Sequence, residues 1–275
     1  FTLISAVAVV WKGGKVREYA DMLLHLISSR VLSGLVIFIA LGYFLGTFTS
    51  MKALLAHISP FTWDVFLADL DAAIHGGDAW TLVPHHPWFT RLLQFLYLPV
   101  WVVAIGFVSF YVCAFADGQI RARYLKTFFF CWIFLGNIVA LAFMSVGPIF
   151  FEHLTGDARF RDLMDYLEFS RGMLFSNLVT ADFLWASYVD GVTGKGSGIS
   201  AFPSLHLAMA TLWTATFWKS RPYLGYAFLG YTALIQIGSV HLGWHYAIDG
   251  YFSIAVTLAA WWLFGRRWSV RTPQA

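Results

Sequence analysis

The chain has 275 residues, of which 59% are hydrophobic, 19% aromatic and only 12% charged. A soluble domain carries about 25% charged residues, so at a mean hydropathy of +0.67 water cannot be the main solvent of this surface. These figures exclude a soluble globular enzyme, a disordered chain and a coiled coil; the small, scattered net charge of +3 gives no clustered basic patch for nucleic acid.

The composition predicts an all-α integral membrane bundle. In chain order, residues 1–30 read as a basic, amphipathic lead-in at the interface, with Leu23, Leu24 and Ile27 on its apolar side. Six apolar runs follow at about 31–49, 92–115, 127–147, 203–218, 223–241 and 245–264, each near the ~20 residues that cross the hydrocarbon core. Together, residues 31–265 form one six-span catalytic membrane domain, and 266–275 a cytoplasmic tail. Basic residues collect at four places: Lys12, Lys15, Arg17 and Arg30; Arg121, Arg123 and Lys126; Lys219 and Arg221; and Arg266, Arg267 and Arg271. The positive-inside rule puts all four in the cytoplasm, with both termini. The protein is then a multi-pass protein of the cell or inner membrane, with the segments at about 50–91 and 148–202 on the extracytoplasmic or luminal face.

Those two outer segments are long enough to expect function rather than idle connection. In the first, Phe61, Val65, Phe66 and Leu70 predict a short amphipathic helix on the bilayer surface. The second carries Arg159, Arg161, Arg171 and Lys195 and a glycine-rich stretch from Gly191 to Gly198. No internal repeat is evident, which speaks against a transporter built on inverted repeats.

Ionisable residues at membrane depth are functional candidates by default. His206 falls in the first turn of the fourth span, and His241 and His245 flank the turn before the sixth. Asp249 follows His245 by four residues, which places both on one helical face. Two histidines and a carboxylate at one membrane face supply a nucleophile, its orienting base and a general acid. Neutral imidazole attacks phosphorus and leaves again readily, and a carboxylate on its other nitrogen fixes the tautomer. Pro203 and Ser204 at the start of a helix would aim free backbone N–H groups at a phosphate.

Phe202-Pro203-Ser204-Leu205-His206 resembles the second signature of the type 2 phosphatidic acid phosphatase superfamily, and His245-x-x-x-Asp249 the end of its third. The Ser-Leu-His form, Trp244-His245-Tyr246-Ala247-Ile248-Asp249-Gly250 and Gly147-Pro148-Ile149-Phe150-Phe151 are similar to the inositol phosphotransferase branch, which includes inositol phosphorylceramide synthases. The resemblance spans about 147–250. It implies that His245 forms a phosphohistidine, Asp249 orients it, His206 protonates the leaving alcohol, and Ser204 holds a phosphate oxygen. It implies a lipid phosphate substrate in the bilayer, a polyol such as inositol or water as acceptor, and no cofactor or metal. Two cations of the family pattern are missing. Ser239 stands where an arginine precedes the nucleophile, and the Lys-x6-Arg-Pro signature is absent. His241, Arg171 and Arg159 are therefore the substrate-binding candidates.

Alternatives use the same residues. His206, His241, His245 and Asp249 form the donor set of an intramembrane zinc hydrolase, although Gly243 interrupts a helix there. Ser200 with His245 would serve a serine intramembrane protease, and a plain lipid phosphate phosphatase or a non-enzymatic transporter or scaffold are the remaining readings. His75, His85, His86 and His153 read as solvated loop residues, Asn137 and Gln236 as interhelical hydrogen-bonders, and Cys113 and Cys131 as packing thiols.

Overall fold

A computed structural model of the chain describes residues 29–192 and 196–266. Residues 1–28 of the lead-in, Lys195 and most of the tail lie outside the described residues, and the last two residues of the lead-in begin the first helix. All regular structure among the described residues is helical. Helix α1 (Ser29–Ile58) is followed by a short α2 (Asp64–His75), and then by α3 (Pro87–Phe115) and α4 (Gly118–Ala142). Two short helices, α5 (Phe151–Thr155) and α6 (Arg161–Leu167), and α7 (Asn177–Val189) make up the second long connection. The chain closes with α8 (Leu205–Phe217), α9 (Pro222–His241) and α10 (Ala247–Arg266).

Among the described residues four helices, α1, α3, α4 and α10, are long and apolar enough to cross a membrane. The fourth and fifth of the expected runs form helices that differ from these. At 13 residues α8 is about 20 Å long, short of the ~30 Å hydrocarbon core. It is buried nearly all round, by α9 and α10 above all, as expected of a helix apolar on every face. The third run starts earlier than hydropathy indicates, at Gly118, because the basic residues of its first turns are satisfied in place. Asp117 caps that helix by accepting from Gln119 and Ile120 N–H. Arg121 donates to the Cys113 carbonyl, and Arg123 donates to the Trp261 carbonyl at 2.6 Å. Arg221 lies over Tyr111 and Arg266 over Trp262, so the basic residues gather at one end of the bundle.

The core runs from Leu41 and Phe48 on α1 through Trp132 and Leu135 on α4 to Met209 and Trp213 on α8. The remaining surface of α1 is apolar and exposed, as at Leu32, Val36, Ile39 and Tyr43. Helix α2 is amphipathic in the opposite sense to a soluble helix. Asp64, Leu67, Ala68 and Asp71 face inward, while Val65, Phe66, Leu70 and Ile74 are exposed.

Between α4 and α5 the chain makes a sharp turn at Gly147, whose φ of 82° and ψ of 171° lie in a region essentially reserved for glycine. A Cβ there would sit 2.5 Å from the Trp244 carbonyl oxygen. Gly147→Ala is expected to destabilise the protein by about 2–4 kcal/mol, the sum of backbone strain and a clash with rigid backbone. Thermal unfolding in detergent checks this, and a transition unchanged from wild type would show that the turn relaxes.

Candidate active site

The turn between α9 and α10 carries the site. His241 ends α9, Gly243 takes a φ of 75°, and the Trp244 and His245 N–H groups both return to the Ser239 carbonyl at 3.0 and 3.1 Å. Ser239, at the place of the missing arginine, is thus a buried structural anchor. His245 then begins the approach to α10. Its Nδ1 lies 3.1 Å from Asp249 Oδ2, which also accepts from the Tyr246 N–H. With Nδ1–H donated to the carboxylate, Nε2 keeps its lone pair and accepts from the Ser204 hydroxyl at 3.2 Å.

Two further carboxylates brace this turn from α2. Asp64 accepts from the Val146 and Gly147 N–H groups, at 2.9 Å each, and from the Tyr246 hydroxyl at 2.9 Å. Asp71 accepts from the Ile248 N–H at 3.0 Å. Burial raises the Asp64 carboxyl above its ordinary value, and these three hydrogen bonds pull against that shift.

His206 reaches the same place from the first turn of α8. Its ring stacks on Tyr97 at 4.1 Å and lies 4.2 Å from Trp101, two residues of α3 on either side of Pro99. His206 Nε2 makes no hydrogen bond to any described residue. Both histidines line a cavity of about 280 Å³ whose walls are mainly apolar, including Phe48, Trp101, Trp132, Phe150 and Leu184.

Burial holds the His245 imidazole below its ordinary value, to about 3, with the nearby Lys52 ammonium adding to the effect. The ring is therefore neutral at physiological pH, as a nucleophile must be. The unfolded chain binds this proton below about pH 6.5, whereas the folded state resists it down to about 3, so stability is lost as pH falls through that window. Acidification from pH 7 to 5 is expected to cost the wild type about 2 kcal/mol more than His245→Asn. Paired unfolding curves at the two pH values measure this; equal losses would remove His245 as the cause.

Of the residues singled out in the sequence, His206, His245, Asp249 and Ser204 come together. His241, Arg159 and Arg171 do not line the cavity. His241 Nε2 is bonded to Thr90 Oγ1 at 2.8 Å, and that hydroxyl also meets Tyr166 at 2.8 Å. The zinc donor set is accordingly not assembled, and among the described residues no group of three or more His, Cys, Asp or Glu side chains is arranged to hold a metal ion. Arg159 is engaged by Asp69 and Asp78, each at 2.7 Å, and by the Ala68 carbonyl. Arg171 pairs with Glu168 and Asp182. Arg161 pairs with Glu152.

Of the loop histidines, His75 and His85 are half-buried rather than solvated, whereas His86 and His153 are exposed as expected. His85 packs between Trp80, Tyr166 and His241. His75 bonds to the Asp71 carbonyl and to Tyr251. His153 lies against Trp185, while His86 caps α3. Gln236 does bridge helices, donating to the Ala247 carbonyl, but Asn137 donates within its own helix, to Trp132. Cys113 and Cys131 are free and buried. Sequence reasoning missed Lys52, Tyr97, Trp101 and Asp64.

In comparison with known proteins, the family model described as the PAP2 superfamily matches residues 65–263. No curated protein and no solved structure matches the chain.

Proposed function

This chain belongs to the PAP2 superfamily, and from that premise we propose that it transfers a phosphoryl group or phospho-headgroup from a lipid donor to an alcohol or to water through a phosphohistidine on His245. The observation that carries this reading is the line Asp249–His245–Ser204, which orients one imidazole nitrogen and leaves the other basic, beside a cavity that His206 also lines.

In the first half-reaction His245 Nε2 attacks phosphorus. The P–N bond forms as the P–O bond to the leaving group breaks, and His206 gives that oxygen its proton. Asp249 compensates the positive charge that develops on His245. In the second, His206 takes the proton of the incoming alcohol or water, whose oxygen attacks phosphorus and releases His245. Ser204, freed from Nε2 when phosphorus arrives, donates to a phosphate oxygen. The aromatic faces of Tyr97 and Trp101 hold His206 in place.

In this reading α8 and α9 also cross, within the bundle, to give six spans, and the basic ends face the cytoplasm. The cavity then opens toward the extracytoplasmic side, and the exposed apolar face of α2 lies in the outer interface. A lipid enters sideways between helices with its phosphate at the histidines.

The test is to incubate purified protein with a phosphorus-labelled phospholipid, quench in alkali, and look for acid-labile label on the protein, with inositol present or absent. Labelled phosphoprotein supports the intermediate. Label passing to inositol identifies a transferase, whereas label released only as phosphate identifies a phosphatase. Turnover without any trapped phosphoprotein would count against the phosphohistidine.

A further inference from the structure

We propose that Lys52, on α1, is the cation that binds the substrate phosphate, in place of the arginine-based candidates indicated by the sequence. The assignment rests on the phosphoryl-transfer reading of the cavity and adds to it a residue outside the family-matched segment, which starts at residue 65.

Among the described residues Lys52 is the one cationic side chain lining the cavity that His206 and His245 share. Its Nζ donates to the Ser200 carbonyl at 3.3 Å, which points the ammonium at the turn leading into Pro203–His206. An ammonium has three donors, so two remain for phosphate oxygens once one is used on Ser200. The backbone at this point is held closely. A Cβ on Gly198 would lie 2.7 Å from both the Ala53 nitrogen and the Lys52 carbonyl carbon, so the loop before α8 is pressed onto α1 at the lysine itself. A charge retained in a mostly apolar wall is costly unless it has a partner, and a carbonyl alone does not balance a full positive charge. A phosphate does. The rival cations are already matched: Arg159, Arg161 and Arg171 each engage carboxylates. Lysine also suits the task, binding phosphate as a compact point charge.

Calorimetric titration of the purified full chain with inorganic phosphate tests the assignment without requiring turnover. Lys52→Met is expected to weaken phosphate binding about 10- to 100-fold, the worth of a charge-assisted contact, and to raise KM for labelled phospholipid in parallel. Lys52→Arg keeps the charge and should restore most of both. If Lys52→Met does not fold, Lys52→Gln, which can still donate to Ser200, must show the same loss. Phosphate affinity within about twofold of wild type in a folded, uncharged variant overturns the assignment. So does a variant that loses turnover while binding phosphate normally, since that marks a purely structural lysine. Phosphate binding that depends on Lys52 in a protein inert toward phospholipids would uphold the assignment and overturn the proposed reaction instead.

Discussion

His245→Asn is expected to lower turnover by at least about 10³-fold, as removal of a catalytic nucleophile does, and to abolish the acid-labile phosphoprotein. Asparagine can still donate toward Asp249 and preserve the turn, which is fixed chiefly by backbone bonds from Trp244 and His245 to Ser239. It has no basic nitrogen to present to phosphorus. Because a carboxamide does not titrate, no change of pH rescues the variant. The measurement is a rapid-quench assay on folded protein, alongside steady-state phosphate release. Residual turnover within tenfold of wild type would be incompatible with covalent catalysis at this residue and would move the nucleophile elsewhere in the chain.

Asp249→Asn is expected to reduce kcat by about 10²- to 10⁴-fold with little change in KM, by analogy with carboxylate-to-amide changes in catalytic triads. Asp249 Oδ2 accepts from His245 Nδ1 and the Tyr246 N–H. An amide that turns its NH2 toward Nδ1 reverses the bond, so the imidazole must carry its proton on Nε2, the nitrogen that should attack. Substrate binding, which depends on the cavity wall, is untouched. The single-turnover rate constant separates this from simple unfolding, since a partly unfolded preparation lowers the amplitude without slowing the surviving fraction's phosphorylation rate. A single-turnover rate equal to wild type would place Asp249 in the scaffold alone.

The membrane class and most of the helices were legible from hydropathy because a bilayer demands long apolar runs with satisfied backbones. The limits lay where charge was locally paid off. Arg121 and Arg123 read as loop residues, yet each bonds a carbonyl from within α4. The pair His245 and Asp249 was legible from its four-residue spacing, although His245 sits in the turn before α10 and not on its face, and Ser204 with His206 because both open α8. Arg159 was misplaced because its partners are not local in any pattern, Asp69 and Asp78 approaching from 90 and 81 residues away, whereas Arg171 is held by its near neighbours Glu168 and Asp182. Asp64 gave no signal, since its partners are mostly backbone N–H groups of a distant turn. Lys52 was passed over for a related reason. A lysine just past the end of an apolar run ordinarily reaches for water, and only the tertiary fold turns this one inward.

The family-matched segment contains both histidines and Asp249, but it does not contain α1. That helix contributes Phe48, Thr49 and Lys52 to the cavity wall. On the proposed reading, the reacting groups and the phosphate-binding lysine lie in separate stretches of one chain. Exchange of α1 for its counterpart from another member of the superfamily is then expected to change headgroup preference while leaving the reacting groups in place.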